Sequence, residues 1–62
     1  MKYYIITPEV ASKLGVESFR VGNAQVGYLV NQSDLGYNVS PDSTGVQEVD
    51  KETARQFSLT YR

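Results

Sequence analysis

The opening stretch of the chain predicts a strand followed at once by a helix. Residues 2–6 are β-branched or aromatic after an initial lysine, a pattern typical of a strand. Thr7 and Pro8 then mark a helix start, because a threonine hydroxyl caps free backbone N–H groups and proline suits the first helical position. Gly15 is the predicted C-cap, with Val16 placed to pack back on the helix.

Residues 17–30 predict a β-hairpin. Apolar residues alternate with polar or small residues on both sides of residues 22–25, where glycine and asparagine tolerate the backbone angles of a turn. Gly27, inside the second strand, indicates a bulge or the close approach of another backbone. The alternation places five apolar side chains on one face of the hairpin: Phe19, Val21, Val26, Tyr28 and Val30.

The middle of the chain combines polar loops with short strands. Residues 31–36 predict a loop or a single helical turn, and residues 40–45 predict a longer loop rich in turn-forming residues. Between and after these loops, residues 37–39 and 45–49 predict two short strands.

The C-terminal segment predicts a second helix and a terminal strand. Asp50 is the expected N-cap of the helix, and the alternating apolar residues within 57–61 predict a strand. Together the elements predict an α+β fold, a small and mostly antiparallel sheet of about 4–5 short strands with two short helices packed on one face. Ile6 and Val49 precede the two predicted caps at matching positions. This match indicates either a duplicated unit or the general likeness of capped helices.

Length and composition limit what such a fold can contain. The 62 residues allow one domain, residues 1–62, with no cysteine and no histidine. A chain of this size buries only about 60% of the surface of its unfolded form, so its stability is marginal. Disulfides and thiolate metal sites are excluded, and association with a second chain is the remaining source of added stability.

Charge and hydropathy point away from nucleic acid and membranes. Six basic residues face seven acidic ones, a net charge of −1, so no basic excess favours phosphate binding. The apolar stretch near the start is too short for a signal peptide, and no stretch is long enough to span a membrane. We therefore expect a cytoplasmic protein with no membrane contact.

The residue types present argue against catalysis. No histidine stands beside any serine to activate it as a nucleophile. Glu9, Asp50 and Glu52 have roles at helix starts, and no acidic residues follow the pattern of a calcium loop. We expect no catalytic residue, no metal site and no cofactor.

Part of the chain resembles a family of small DNA-binding domains. Residues 7–16, with the hairpin before residues 33–35, resemble the first helix, turn and wing of excisionase-like and MerR-like domains. The resemblance implies a small DNA-binding regulator as an alternative function. Those families place a basic recognition helix directly after the turn. Here residues 17–21 have strand periodicity and contribute only Arg20 as a basic residue.

Tyrosine is the most distinctive residue type in this chain. Tyrosines are enriched at protein interfaces, because they provide contact area at low entropic cost. We therefore expect a non-catalytic module for protein–protein binding or self-association, with a protein partner or a second copy in a homodimer. Binding would use a tyrosine-bearing face or a free edge of the end strands, residues 2–6 and 57–61. The candidate partner-binding residues are Tyr3, Tyr4, Tyr28, Tyr37 and Tyr61.

Overall fold

The chain forms a four-stranded antiparallel sheet with three helices. The computed structural model describes residues 2–37 and 39–61. The strands lie in the order β2-β3-β1-β4, which confirms the α+β class and the predicted small antiparallel sheet. Along the chain the elements are β1 (Tyr3–Ile6), α1 (Pro8–Leu14), β2 (Gly22–Asn23), β3 (Gly27–Asn31), α2 (Gln32–Leu35), β4 (Val46–Val49) and α3 (Lys51–Tyr61).

One face of the sheet, here the first face, carries the hydrophobic core. Tyr4 and Ile6 of β1 are almost fully buried, and the β3 residues paired with them lie on the same face. Helices α1 and α2 cover this face, since each buries an apolar residue in the same cluster. The cluster consists of Tyr4, Ile6, Ala11, Val16, Tyr28, Val30 and Leu35.

Helix α1 begins and ends as its sequence predicts. The Thr7 hydroxyl accepts a hydrogen bond from the backbone N–H of Val10 at 3.3 Å. Gly15 adopts a left-handed conformation with φ of 70° and donates to the last carbonyls of the helix. Val16 is buried against the core. These capping contacts are local, so they follow from the sequence of this segment alone.

Helix α3 packs against the opposite, second face of the sheet. Tyr3 and Ile5 alternate with the core residues of β1 and are only half-buried. Tyr3 and Leu29 of the sheet line the same shallow space as Ala54 of α3, and the Ala54 side chain is buried. The expectation of two helices on one face therefore needs correction, because the sheet is covered on both faces by three helices.

Residues 57–61 belong to α3 and do not form the predicted terminal strand. The cap is confirmed, since the Asp50 carboxylate accepts from the Thr53 backbone N–H at 2.7 Å. Phe57 and Tyr61 alternate with polar residues, but they also lie one helical turn apart. Their ring centroids are 4.7 Å apart. Because residues 51–61 contain neither glycine nor proline, the helix continues through them.

The hairpin forms, but its first strand is much shorter than predicted. β2 contains two residues, and residues 17–19 form turns in place of a strand. Phe19 and Val26 are consequently exposed and do not share the core face with the apolar residues of β3. Gly27 lies where the sequence indicates a close backbone approach. A Cβ at this position would overlap the carbonyl oxygen of Ile6.

The remaining segments agree with their predictions except at residues 37–39. Residues 32–35 form the predicted helical turn, residues 40–45 form a loop, and β4 occupies 46–49. Tyr37 lies in a turn and Val39 in a bend, while Asn38 falls outside the described residues. The predicted strand over 37–39 is therefore not present at its two described positions.

The free edges of the sheet belong to β2 and β4. β1 pairs with β3 on one side and with β4 on the other, so residues 2–6 have no unpaired edge. With residues 57–61 helical, neither predicted end strand is available for edge pairing. On β4 the carboxylate of Glu48 lies 3.8 Å from the Lys2 ammonium.

The helices of the two matching helix–strand segments, α1 and α3, pack on different faces of the sheet. Ile6 precedes the cap of α1 and lies on the first face. Val49 precedes the cap of α3 and pairs with Tyr3, which places it on the second face. Each helix thus covers the face occupied by the strand residue just before its cap.

Candidate functional site

A cleft of about 200 Å³ opens beside the hairpin, and we call it the Arg20 cleft. It brings together four separate parts of the chain: the turn before β2, the two central strands β3 and β1, and α3. The residues that line it are Tyr3, Phe19, Arg20, Val21, Leu29, Val30, Asn31 and Ser58.

The cleft exists because β2 is short. β2 pairs with β3 only at Gly27 and Tyr28, and one further bond joins the Leu29 N–H to the Val21 carbonyl at 2.9 Å. Toward its C-terminal end, β3 therefore has no neighbouring strand on this side. Residues 19–21 lie on one side of the gap that results, and Ser58 of α3 lies on another.

Arg20 is held in place by a carboxylate that also caps a helix. Its Nη2 atom donates to Asp34 Oδ1 at 2.8 Å. The other oxygen of Asp34 accepts from the Asn31 backbone N–H at 3.0 Å. The Asp34 N–H in turn donates to the Asn31 side chain at 3.1 Å. This reciprocal capping box at the start of α2 fixes the carboxylate. The position of Arg20 is therefore coupled to the local fold of residues 31–35.

Phe19 gives the cleft an exposed aromatic border. Its side chain is 62% exposed, although the sequence pattern predicts it in the core. The Arg20 guanidinium carbon lies 5.1 Å from the centroid of the Phe19 ring, a cation–π distance. This contact places the Phe19 ring beside the guanidinium at the opening of the cleft.

One donor of Arg20 has no acceptor. The Nε atom is out of contact with solvent and has no hydrogen-bond partner within the part of the chain that the structure describes. A buried N–H without a partner is unfavourable, because it loses its bond to water and gains none from the protein. The cleft is therefore bordered by a side chain with unused hydrogen-bonding capacity.

The five candidate tyrosines do not form a single surface. Tyr4 and Tyr28 are 1% and 8% exposed in the core, so a partner cannot contact them. Tyr37 is fully exposed in the turn after α2, and Tyr61 packs against Phe57 at the end of α3 with the ring planes tilted by 47°. Of the five, only Tyr3 lines the Arg20 cleft.

Sequence reasoning missed Phe19 and Arg20 as site residues. The alternation of Phe19 with Val21 favours a strand that points both toward the core, and this places Arg20 on the solvent side. A usable signal is the basic residue Arg20 next to Phe19, with only Val21 between it and the turn-forming Gly22 and Asn23. Turn-forming residues there shorten the strand and expose the phenylalanine.

The polar side chains that line the cleft include those of Arg20, Asn31 and Ser58. Ser58 lines it, but the chain has no histidine or cysteine that could activate this hydroxyl. Within residues 2–37 and 39–61, no three acidic side chains are grouped as metal ligands. Over the same ranges, no helix is long and apolar enough to cross a membrane.

Among the described residues, no helix directly follows the turn after α1, which is where the DNA-binding families place their recognition helix. Residues 17–19 form turns, and Arg20 bonds to Asp34 instead of projecting from a helix. The geometry of the Arg20 cleft is thus the most specific functional observation that the fold provides. No protein-family model, curated protein or solved structure matches this chain.

Proposed function

We propose that this chain is a non-catalytic protein-binding module, and that its Arg20 cleft receives one apolar side chain of a partner protein. The observation that carries the proposal is the exposed Phe19 ring at the border of a cleft floored by the sheet. An exposed aromatic residue next to a concave apolar site is typical of the anchor pockets of protein interfaces.

The size of the cleft favours a single side chain over a whole small-molecule ligand. Pockets for small molecules and cofactors have volumes of about 300–1,000 Å³. The Arg20 cleft, at about 200 Å³, lies below this range. A protein partner needs to bury only one anchor residue here, since the surrounding surface provides the rest of the contact.

The composition of the lining favours an aromatic or large aliphatic anchor. Phe19 and Tyr3 offer ring surfaces, and Leu29 adds an aliphatic one. Aromatic pairs gain interaction energy beyond the burial of area when their rings meet edge to face or offset. The half-buried state of Tyr3 and Leu29 leaves apolar surface that a partner can cover.

Selection from a displayed library of random peptides tests this function. We expect the selected peptides to share one aromatic or large aliphatic position and to lose binding to Phe19→Ser. Because Phe19 is largely exposed, this change leaves the fold intact. The matched control is Tyr37→Ser, which removes an exposed aromatic residue outside the cleft and should keep peptide binding.

Two outcomes of the selection would overturn the proposal. The first is a selection without any shared apolar position. The second is a set of peptides that bind Phe19→Ser as well as the unmodified protein.

Self-association is tested separately on the protein alone. Light scattering over a hundredfold range of concentration measures whether the protein forms dimers. The result shows whether the anchor side chain comes from a second copy of this chain or from a different protein. A dimer that Phe19→Ser dissociates would identify the second copy as the partner. A concentration-independent monomer of 6.9 kDa would assign the cleft to another protein.

The DNA alternative is tested by its salt dependence. Affinity for duplex DNA falls steeply as salt rises, because counterions are released from the phosphates. Peptide binding to an apolar cleft should change little over the same range. Duplex binding that weakens steeply with salt and survives Phe19→Ser would favour the DNA-binding function over the one proposed.

A further inference from the structure

We infer that the Arg20 cleft selects an aromatic side chain attached to a neutral main-chain carbonyl, which accepts a hydrogen bond from the Arg20 guanidinium. This inference rests on the proposed function and specifies the chemistry of its ligand. It predicts that the partner contributes an internal residue of its chain and not a C-terminal carboxylate.

The donors of Arg20 provide the first argument. A guanidinium carries five N–H groups, and only Nη2 bonds to the Asp34 carboxylate. The Nε–H group has no contact with solvent and no hydrogen-bond acceptor among the described residues. A ligand that brings an acceptor to this edge of the cleft satisfies a donor that the free protein leaves unpaired.

The charge balance of the site provides the second argument. The Asp34 side chain is 11% exposed and already compensates the positive charge of Arg20. A ligand carboxylate would add a second negative charge next to Asp34 in a poorly solvated position. A neutral carbonyl accepts the same hydrogen bond without this repulsion, so the site favours an amide over an acid.

The position of the Phe19 ring affects how a ligand reaches the Arg20 guanidinium. It stacks over the guanidinium at 5.1 Å and is otherwise 62% exposed, so few contacts oppose its rotation. Because Nε has no contact with solvent, the inferred binding requires this ring to turn aside before a ligand acceptor reaches the Nε–H. The displaced ring can then pack against the incoming aromatic side chain.

Three small probes separate the parts of this ligand. N-acetyl-phenylalaninamide carries the aromatic ring and neutral carbonyls, N-acetyl-phenylalanine replaces the amide by a carboxylate, and 2-phenylethanol carries the ring without a carbonyl. Titration followed by NMR at the Leu29 amide and the Arg20 Nε–H measures binding of each. We expect the amide to bind with Kd on the order of 1 mM, as suits a fragment of its size.

The expected order of affinity is specific. The carboxylate probe should bind at least about threefold more weakly than the amide, because of its repulsion by Asp34. The carbonyl-free probe should bind about tenfold more weakly, because its hydroxyl oxygen is a weaker acceptor for the Arg20 donor than an amide carbonyl. At saturation the amide probe should slow exchange of the Arg20 Nε–H and shift its resonance most, and the carbonyl-free probe least.

A pair of variants assigns the preference to Arg20. Arg20→Lys keeps a positive charge for Asp34 but removes the Nε donor, so the ratio of affinities between the amide probe and 2-phenylethanol should fall toward one. Arg55→Lys makes the same change on α3 outside the cleft and should leave that ratio unchanged. The probe comparison on the unmodified protein needs no variant, so loss of folding in Arg20→Lys would not decide the result.

The outcomes distinguish this inference from the proposed function. Equal affinity of the three probes, with an unmoved Nε–H resonance, overturns the carbonyl preference and leaves the apolar anchor site intact. Tighter binding of the carboxylate probe also overturns it. If no probe shifts the Leu29 resonance and no peptide is selected, both the inference and the proposed function fail.

Discussion

Arg20 Nη2 and Asp34 Oδ1 lie 2.8 Å apart and join the turn before the hairpin to the helical turn after it. Both segments lie at the C-terminal end of β3, because Val21 bonds to Leu29 in the hairpin and α2 directly follows Asn31. Phe19 and Asn31 of these two regions both line the cleft. The ion pair therefore defines the geometry of the candidate site as well as the packing of the hairpin.

Asp34→Ala is expected to lower the free energy of unfolding by about 1–3 kcal/mol. The change removes the acceptor of both Arg20 and the Asn31 backbone N–H. Urea unfolding measures the loss. Asp42→Ala is the matched control, because Asp42 lies exposed in the loop over 40–45 and should change stability by less than about 0.5 kcal/mol. Equal stability of the two variants would show that the ion pair and capping box contribute nothing.

Thr7→Ala is expected to cost about 1 kcal/mol, because it removes the cap of α1. The Thr7 hydroxyl accepts from the Val10 N–H, and alanine cannot replace this bond. Thr7→Ser should restore most of the stability, whereas Thr44→Ala in the exposed loop serves as the control. Thermal melting of the three variants provides the comparison. An unchanged melting temperature for Thr7→Ala would contradict the capping role.

Gly27→Ala is expected to be far more destabilising than Gly15→Ala. Both glycines have positive φ, 98° and 70°, so each substitution carries a conformational cost of roughly 1–2 kcal/mol. At Gly15 the added methyl group meets nothing within 4 Å. At Gly27 it overlaps the Ile6 carbonyl oxygen, so the β1–β3 pairing must shift. The difference in urea midpoint measures this backbone clash, and equal midpoints would rule it out.

The cap of α3 should make stability depend on pH in the acidic range. Hydrogen bonds from the Thr53 hydroxyl and then from the Thr53 backbone N–H lower the pKa of Asp50 below its ordinary value of 3.8. A lowered pKa in the folded state means that the ionised carboxylate stabilises the fold above pH 3.8. This stabilisation is lost as the pH falls through the folded-state pKa.

Asp50→Asn distinguishes the titration of Asp50 from the titration of the other acidic groups. Asparagine caps helices about as well as aspartate but does not titrate. We expect the free energy of unfolding of the unmodified protein to fall relative to that of Asp50→Asn when urea unfolding is repeated at about pH 2 in place of about pH 6. A difference that stays constant over this range would show that Asp50 is not the titrating group. Asp42→Asn should show no comparable change.

Local sequence signals determined a large part of the fold. The Thr7 cap, the Gly15 C-cap and the Asp50 cap were all predicted at the residues where they occur. Each depends on contacts within four residues, so the sequence window contains everything that the prediction needs. The strand at the start, the loop over 40–45 and the α+β class follow from the same kind of signal.

Tertiary structure decided which alternating segments became strands, and this also created the candidate site. Phe57, Leu59 and Tyr61 recur at every second position, which is the period of a strand. The helix capped by Asp50 nevertheless continues through these residues and covers the second face of the sheet. The early end of β2 exposes Phe19 and opens the cleft, because sheet pairing depends on distant partners that no local window contains. By itself the sequence determined where α1 and α3 start. The contacts of the folded chain decided which tyrosines are buried, on which face α3 packs and that Arg20 lies beside a cleft.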